Sequence, residues 1–159
     1  MARVNPAGSW VQPNVLLLLA MVACCAFGNV LAADRDEENE HESINVLLKE
    51  WYILPDKRVV DARHITFKVT NQGRRDHEFI IIKTDVPVHD LPVHAKGLDE
   101  EKVGKAIGEI EDIYPGETKE LTLHLSVGNY VLFCNKVETE DHKIISHYRH
   151  GMRVAFKVK

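Results

Sequence analysis

Near its carboxyl end the chain carries a strand-like apolar run, Tyr130 to Cys134, then a polar stretch, then the segment HYRHGM from His147 to Met152. A thiol, an imidazole and a thioether follow one another there beside an extended segment. Soft sulfur suits Cu(I), imidazole suits both copper oxidation states, and a thioether serves at a long axial distance. Such a set needs a second imidazole, and His77, which opens the run His77 to Lys83, supplies one. Each residue alone reads as ordinary: free cysteines and methionines fill cores, and histidines sit at strand edges. Their joint appearance points to a metal centre made of His77, Cys134, His147 and Met152.

The compartment strengthens that reading. Val15 to Phe27 is an apolar run too short to cross a bilayer, followed by small residues at Ala32 and Ala33 and then by acidic sequence from Asp34. Residues 1–33 are expected to be a signal peptide that exports the protein to the periplasm or the extracellular space. An uncleaved anchor, or a lipid on Cys24, is the tethered alternative. Cleavage would remove Cys24 and Cys25 and leave Cys134 as the single cysteine, so no internal disulfide can form. A lone thiol in an oxidising compartment is buried, paired with another molecule, or held by a metal.

The net charge of −4 becomes about −5 when Arg3 leaves with the peptide. Mild acidity argues against nucleic acid and anionic membrane surfaces, both of which recruit clustered Lys and Arg. No nucleophile elbow, phosphate-binding glycine loop or pair of catalytic carboxylates stands out, so the chain reads as a non-enzyme. A multicopper oxidase needs further copper sites, and a binuclear centre needs two thiolates; neither is available.

The elements that must position these residues follow from periodicity. Residues 34–43 (DRDEENEHES) lack apolar side chains and are expected to form a flexible lead-in. From Ile44 to Lys159 the pattern is one domain of short strands. Ile65, Phe67 and Val69 alternate before a turn at Asn71 to Gly73; His77 to Lys83 is nearly continuously apolar, as in a sandwich core. Leu121, Leu123 and Leu125 alternate after a Pro115–Gly116 turn, and a last alternating strand follows Met152. Leu98 to Ile110 has three-four spacing and is expected to form the one helix, shortened by Gly104 and Gly108. The sum is an all-β, antiparallel Greek-key sandwich with one short helix.

Several quoted features together resemble the small cupredoxins, particularly sulfocyanin-like and related periplasmic copper-binding proteins. They are Phe67, Val69, Asn71 and Gly73 ahead of His77-Glu-Phe; Pro115-Gly116-Glu; Gly128, Tyr130 and Cys134-Asn; and His147-Tyr with Gly151-Met152. The resemblance covers Ile44 to Lys159. It implies one copper ion held by His77, Cys134 and His147 with Met152 axial, and a carrier of single electrons; the chain is expected to be a monomer that meets a redox or copper-handling protein. Delivery of copper without electron transfer is the rival function, and a zinc or purely structural sandwich a third. Where the family has a short connection, twelve residues separate Cys134 from His147, which leaves His142 and His150 as alternative ligands. The remaining histidines, His41, His64, His89, His94 and His124, read as surface or packing residues. The electron is expected to leave through an exposed histidine edge, with Glu138, Glu140 and Asp141 as a docking rim for a basic partner.

Overall fold

The computed structural model describes residues 41–61 and 64–159. The expected signal peptide and the first part of the acidic lead-in, residues 34–40, lie outside them. In chain order come β1 (His41–Lys49), β2 (Tyr52–Pro55), β3 (Val59–Val60), β4 (His64–Asn71) and β5 (His77–Lys83). Then follow β6 (Val93–His94), β7 (Gly97–Leu98), α1 (Glu100–Val103), β8 (Gly108–Ile113), β9 (Thr118–His124) and β10 (Gly128–Phe133). The chain closes with β11 (Val137–Glu140), β12 (Lys143–Ser146), α2 (His147–His150) and β13 (Arg153–Val158). Among the described residues no helix is long and apolar enough to cross a membrane.

A four-stranded sheet ordered β2-β1-β4-β9 and a five-stranded sheet ordered β3-β13-β10-β5-β8 form the expected sandwich, with the chain crossing between sheets after β2, β3, β4, β8 and β9. Strand alternation builds the interior. Ile44, Val46 and Leu48 of β1, and Ile65, Phe67 and Val69 of β4, meet Phe79, Ile81, Tyr130, Leu132 and Phe156 of the facing sheet in one core. The continuous apolar run of β5 has a second cause: Ile80 and Ile82 point the other way and join Phe133, Val131, Leu98 and Tyr148 in a smaller cluster on the outer face. A strand covered on both faces loses its alternation.

Three expectations are corrected. The lead-in ends earlier than expected, because His41, Glu42 and Ser43 already pair with β4 as the start of β1. The helix expected over Leu98 to Ile110 is confined to Glu100–Val103 and its last three residues open strand β8, while a second helix, α2, carries His147. The sheets are mixed: β1 runs parallel to β4 and β13 parallel to β3.

Candidate metal centre

Register brings two of the candidate ligands together. β5 and β10 pair antiparallel with Phe133 opposite Ile80, so the beginning of β5 lies beside the residue that follows β10. Those positions hold His77 and Cys134. On the other side β10 pairs with β13, Phe133 opposite Arg153, and the Cys134 N–H donates to the Met152 carbonyl at 3.0 Å. Met152 is thereby fixed next to Cys134 along the ladder, with its side chain buried in the main core.

His147 arrives by a device that spacing alone concealed. The polar insert folds into a hairpin, β11 against β12 with Val137 opposite Ser146, closed by Asp141 and His142, both at positive φ (48° and 63°). Two residues of that conformation match the natural twist of a hairpin. The length of the insert therefore adds no distance, since its two ends are ladder neighbours. The His147 N–H donates to Lys136 O at 3.0 Å, and Ser146 caps the one-turn α2 by accepting the Arg149 N–H at 3.3 Å. Tyr148 anchors α2 by packing its ring edge-on to Phe133 at 5.8 Å.

The three donors converge. His77 Nδ1 lies 3.1 Å from His147 Nδ1, Cys134 Sγ lies 3.4 Å from His147 Nδ1, and one ligand atom from each residue falls within 4.8 Å of the others. All three residues, and Met152, are fully enclosed. His142 sits at the exposed hairpin turn, and His150 Nδ1 is engaged with the Ser146 carbonyl at 2.8 Å. Neither belongs to the cluster.

The surroundings decide what the cluster suits. Both Nε2 atoms are buried without a hydrogen-bond partner in line, yet each faces a carboxylate: Glu50 at 3.6 Å from His77 and Glu138 at 3.3 Å from His147. A neutral imidazole has one proton. Placed on Nε2, toward the acid, it leaves both Nδ1 lone pairs and the sulfur pointing into one small space, an acceptor-only constellation that a cation satisfies. Burial holds the charged forms of both imidazoles down, His147 to about 4 with the neighbouring His77 adding to the effect, and pushes the Cys134 thiol up to about 12. Neutral nitrogens and a thiol that ionises only when something compensates it are a coherent metal set.

Residues outside the ligand set fix the ligands. Glu50 Oε1 accepts the Arg74 and Arg75 N–H groups at 2.7 and 2.8 Å, which ties the loop before His77 to the β1–β2 corner. Asn71, fully buried, donates from Nδ2 to Arg75 O (2.7 Å) and Ile113 O (2.8 Å) and accepts Gly73 N–H (2.8 Å). Opposite the start of β5, β8 bulges between Ile110 and Ile113, where Asp112 has φ 47°, and this re-aims His77. The Glu78 N–H donates to Cys134 Sγ at 3.4 Å, and the Glu78 carboxylate, pushed up to about 7 by burial, accepts the Asn135 N–H at 2.7 Å. Asn135 reaches on to Leu98 N–H and to Glu100. Arg75 pairs with Glu138 and Glu140, so two acids of the expected docking rim are already neutralised. The Trp51 ring lies edge-on to His147 at 5.2 Å, stacks on His150 at 4.6 Å and carries the Arg75 guanidinium over its face at 5.6 Å. The exposed histidine edge expected for electron exit is absent: Trp51, Arg75 and Glu138 roof the imidazoles.

Gly73 is part of this construction. A Cβ there would stand 2.5 Å from Glu50 Oε1 and 3.0 Å from His77 Nε2, and Glu50 has two backbone bonds to lose before it can move. Gly73→Ala is expected to destabilise the fold by about 1–3 kcal/mol and to weaken metal binding, read by denaturant unfolding and by metal titration on the same samples.

No protein-family model matches the sequence, and no curated protein matches it. Solved structures do match. Auracyanin A, a "blue" copper protein from the green thermophilic photosynthetic bacterium Chloroflexus aurantiacus, superposes with a TM-score of 0.51 and 19% identity, covering 75% of this chain and 99% of that one. Auracyanin B gives 0.52 and 14%, over 74% and 88% of the two chains. A rusticyanin variant gives 0.51 and 16%, over 76% and 79%. The chain has the cupredoxin fold.

Proposed function

We propose that this chain is an exported mononuclear copper protein that carries single electrons, its ion held by His77, Cys134 and His147 with Met152 as the weak fourth ligand. The observation that carries the reading is the convergence of two imidazole nitrogens and one thiol sulfur within 4.8 Å in a fully enclosed site. The auracyanin A likeness, to a "blue" copper protein, supports the choice of metal. Copper bound there supplies a reversible one-electron couple.

The chain's own residues do the rest. Three of the four ligands sit on or against rigid ladder positions, and the fourth is capped into α2, so the donor atoms need not move when charge changes. Glu50 and Glu138 orient the rings and offset positive charge; the Glu78 N–H stabilises the thiolate. The apolar walls from Phe79 and Leu132 exclude water. Because both imidazoles are enclosed, the electron passes through the covering layer, where Trp51 is in direct contact with His147.

Copper titration followed by absorption and voltammetry tests the reading. An intense visible thiolate-to-copper band and reversible cycling are expected. A colourless Cu(II) complex, or a site that prefers Zn(II), would overturn it. Enclosure of the ligands also separates a carrier from a delivery protein: wild-type copper is expected to leave slowly to a weak chelator, and Trp51→Ala to speed that loss several-fold by opening the roof over His147. Fast loss from the wild type would favour delivery.

A further inference from the structure

At the other end of the sandwich a second set of imidazoles falls on one line. β1 and β4 pair with His41 opposite His64, and β4 and β9 pair with His64 opposite His124, so three histidines occupy one register row across three adjacent strands. All lie on the outward face, since Ile65, Phe67 and Val69 fill the inward one. The His64 and His124 rings are 4.7 Å apart between centroids, tilted by 55°, and neither ring is hydrogen-bonded to a described residue. His41 Nε2 is engaged with Thr66 Oγ1 at 2.9 Å. Farther along this face of β4 and β9 the opposed residues are paired, Thr66 with Thr122 at 2.7 Å, Lys68 with Glu120 at 3.6 Å and Thr70 with Thr118 at 2.9 Å. His64 and His124 share no such bond.

We propose that His64 and His124, with His41 as a third donor, form a surface site for a borderline divalent cation, Cu2+ first and Ni2+ or Zn2+ after it. Directly opposed residues of antiparallel strands have Cβ atoms about 4.5–5.5 Å apart. Rotation of each imidazole about its side-chain bonds brings one nitrogen of each to a common ion. His41 joins by releasing Thr66. Imidazole without thiolate or thioether selects the divalent ions and offers nothing to favour Cu(I), opposite to the sulfur-rich buried centre. The two sites are also far apart. β4 runs from His64 to Asn71, the residue that braces the His77 loop, which separates the sites by about 20 Å or more at a strand's rise per residue.

The test uses the chain carrying Cys134→Ala and His147→Gln, so that the buried centre keeps a single imidazole and the outcome does not depend on it. Cu2+ is titrated by calorimetry with electron paramagnetic resonance, alongside Zn2+. One equivalent of Cu2+ with nitrogen ligation is expected, weakened about tenfold or more by His64→Gln or His124→Gln and less by His41→Gln. Paramagnetic broadening should fall first on the ring signals of His64 and His124. Unchanged affinity in the His64→Gln/His124→Gln double variant, with the fold intact by circular dichroism, would overturn the proposal. So would broadening centred on His89, His94 or His142.

Discussion

Cys134→Ser is expected to remove the visible charge-transfer band entirely and to weaken copper binding by roughly two orders of magnitude or more. The size follows from sharing out a structural site's ~10–16 kcal/mol among four ligands, which assigns about 3 kcal/mol or more to one anionic donor. The serine hydroxyl does not ionise at accessible pH and forms no comparable covalent bond to copper. Loss of binding must be distinguished from loss of fold, because Cys134 is fully buried in the main core. A buried hydroxyl costs about 1–3 kcal/mol unless it is hydrogen-bonded, and here the Glu78 N–H remains available to it. The backbone bond from Cys134 N–H to Met152 O is untouched by the substitution. Urea unfolding of the metal-free proteins checks this, with Cys134→Ala as the companion that buries no new polar atom. At a thousandfold excess over the wild-type Kd, copper should stabilise the wild type by about 4 kcal/mol and variants that bind it a hundredfold more weakly by only about 1.4 kcal/mol. A coloured Cys134→Ser complex would show that the sulfur is not a ligand.

What the sequence revealed of this site was the part fixed by strand register. β-branched runs on either side of His77 and Cys134 demand a buried pairing, and a one-residue slip would turn Leu132 and Phe79 out of the core. That demand is written in local periodicity and is legible. The hairpin that returns His147 is not, because its strands are polar and its turn uses Asp141 and His142 in a conformation usually signalled by glycine. The carboxylates that face the rings were hidden for another reason. Glu50 comes from a corner distant in the chain from His77, Glu138 meets His147 only through the β11–β12 hairpin, and nothing local marks either as a partner of a ring. The helix over Leu98 to Ile110 was a false period. Val103 and Ala106 point into the outer cluster, whereas Ile110 and Ile113 are brought to one face by the bulge in β8, so residues of two separate elements mimicked helical spacing. His64 and His124 were readable singly and not as a pair, since their partnership exists only in the β4–β9 register.

Copper affinity is expected to rise tenfold for each pH unit between pH 8 and pH 10, a hundredfold over the interval. In the metal-free protein burial holds the Cys134 proton on to about 12, while His147, at about 4, and His77, lowered from its ordinary value near 6.5, carry no extra proton in this range. Glu78, raised to about 7, is already ionised above pH 8 and adds nothing to the slope. Binding therefore releases one proton per ion, from the thiol alone, and the sign follows: a proton that must leave is lost more easily as pH rises. Going down in pH, Glu78 takes up its proton near 7, and the slope steepens further once His77 protonates below its ordinary range. Near 4 His147 adds another proton to displace. Competition with a copper chelator whose own protonation is known measures the slope directly. Cys134→Ala, which has no thiol proton to release, should give a flat profile over the same interval. A flat profile in the wild type would mean that the ion is held without the thiolate, and the assignment of the centre would fail with it.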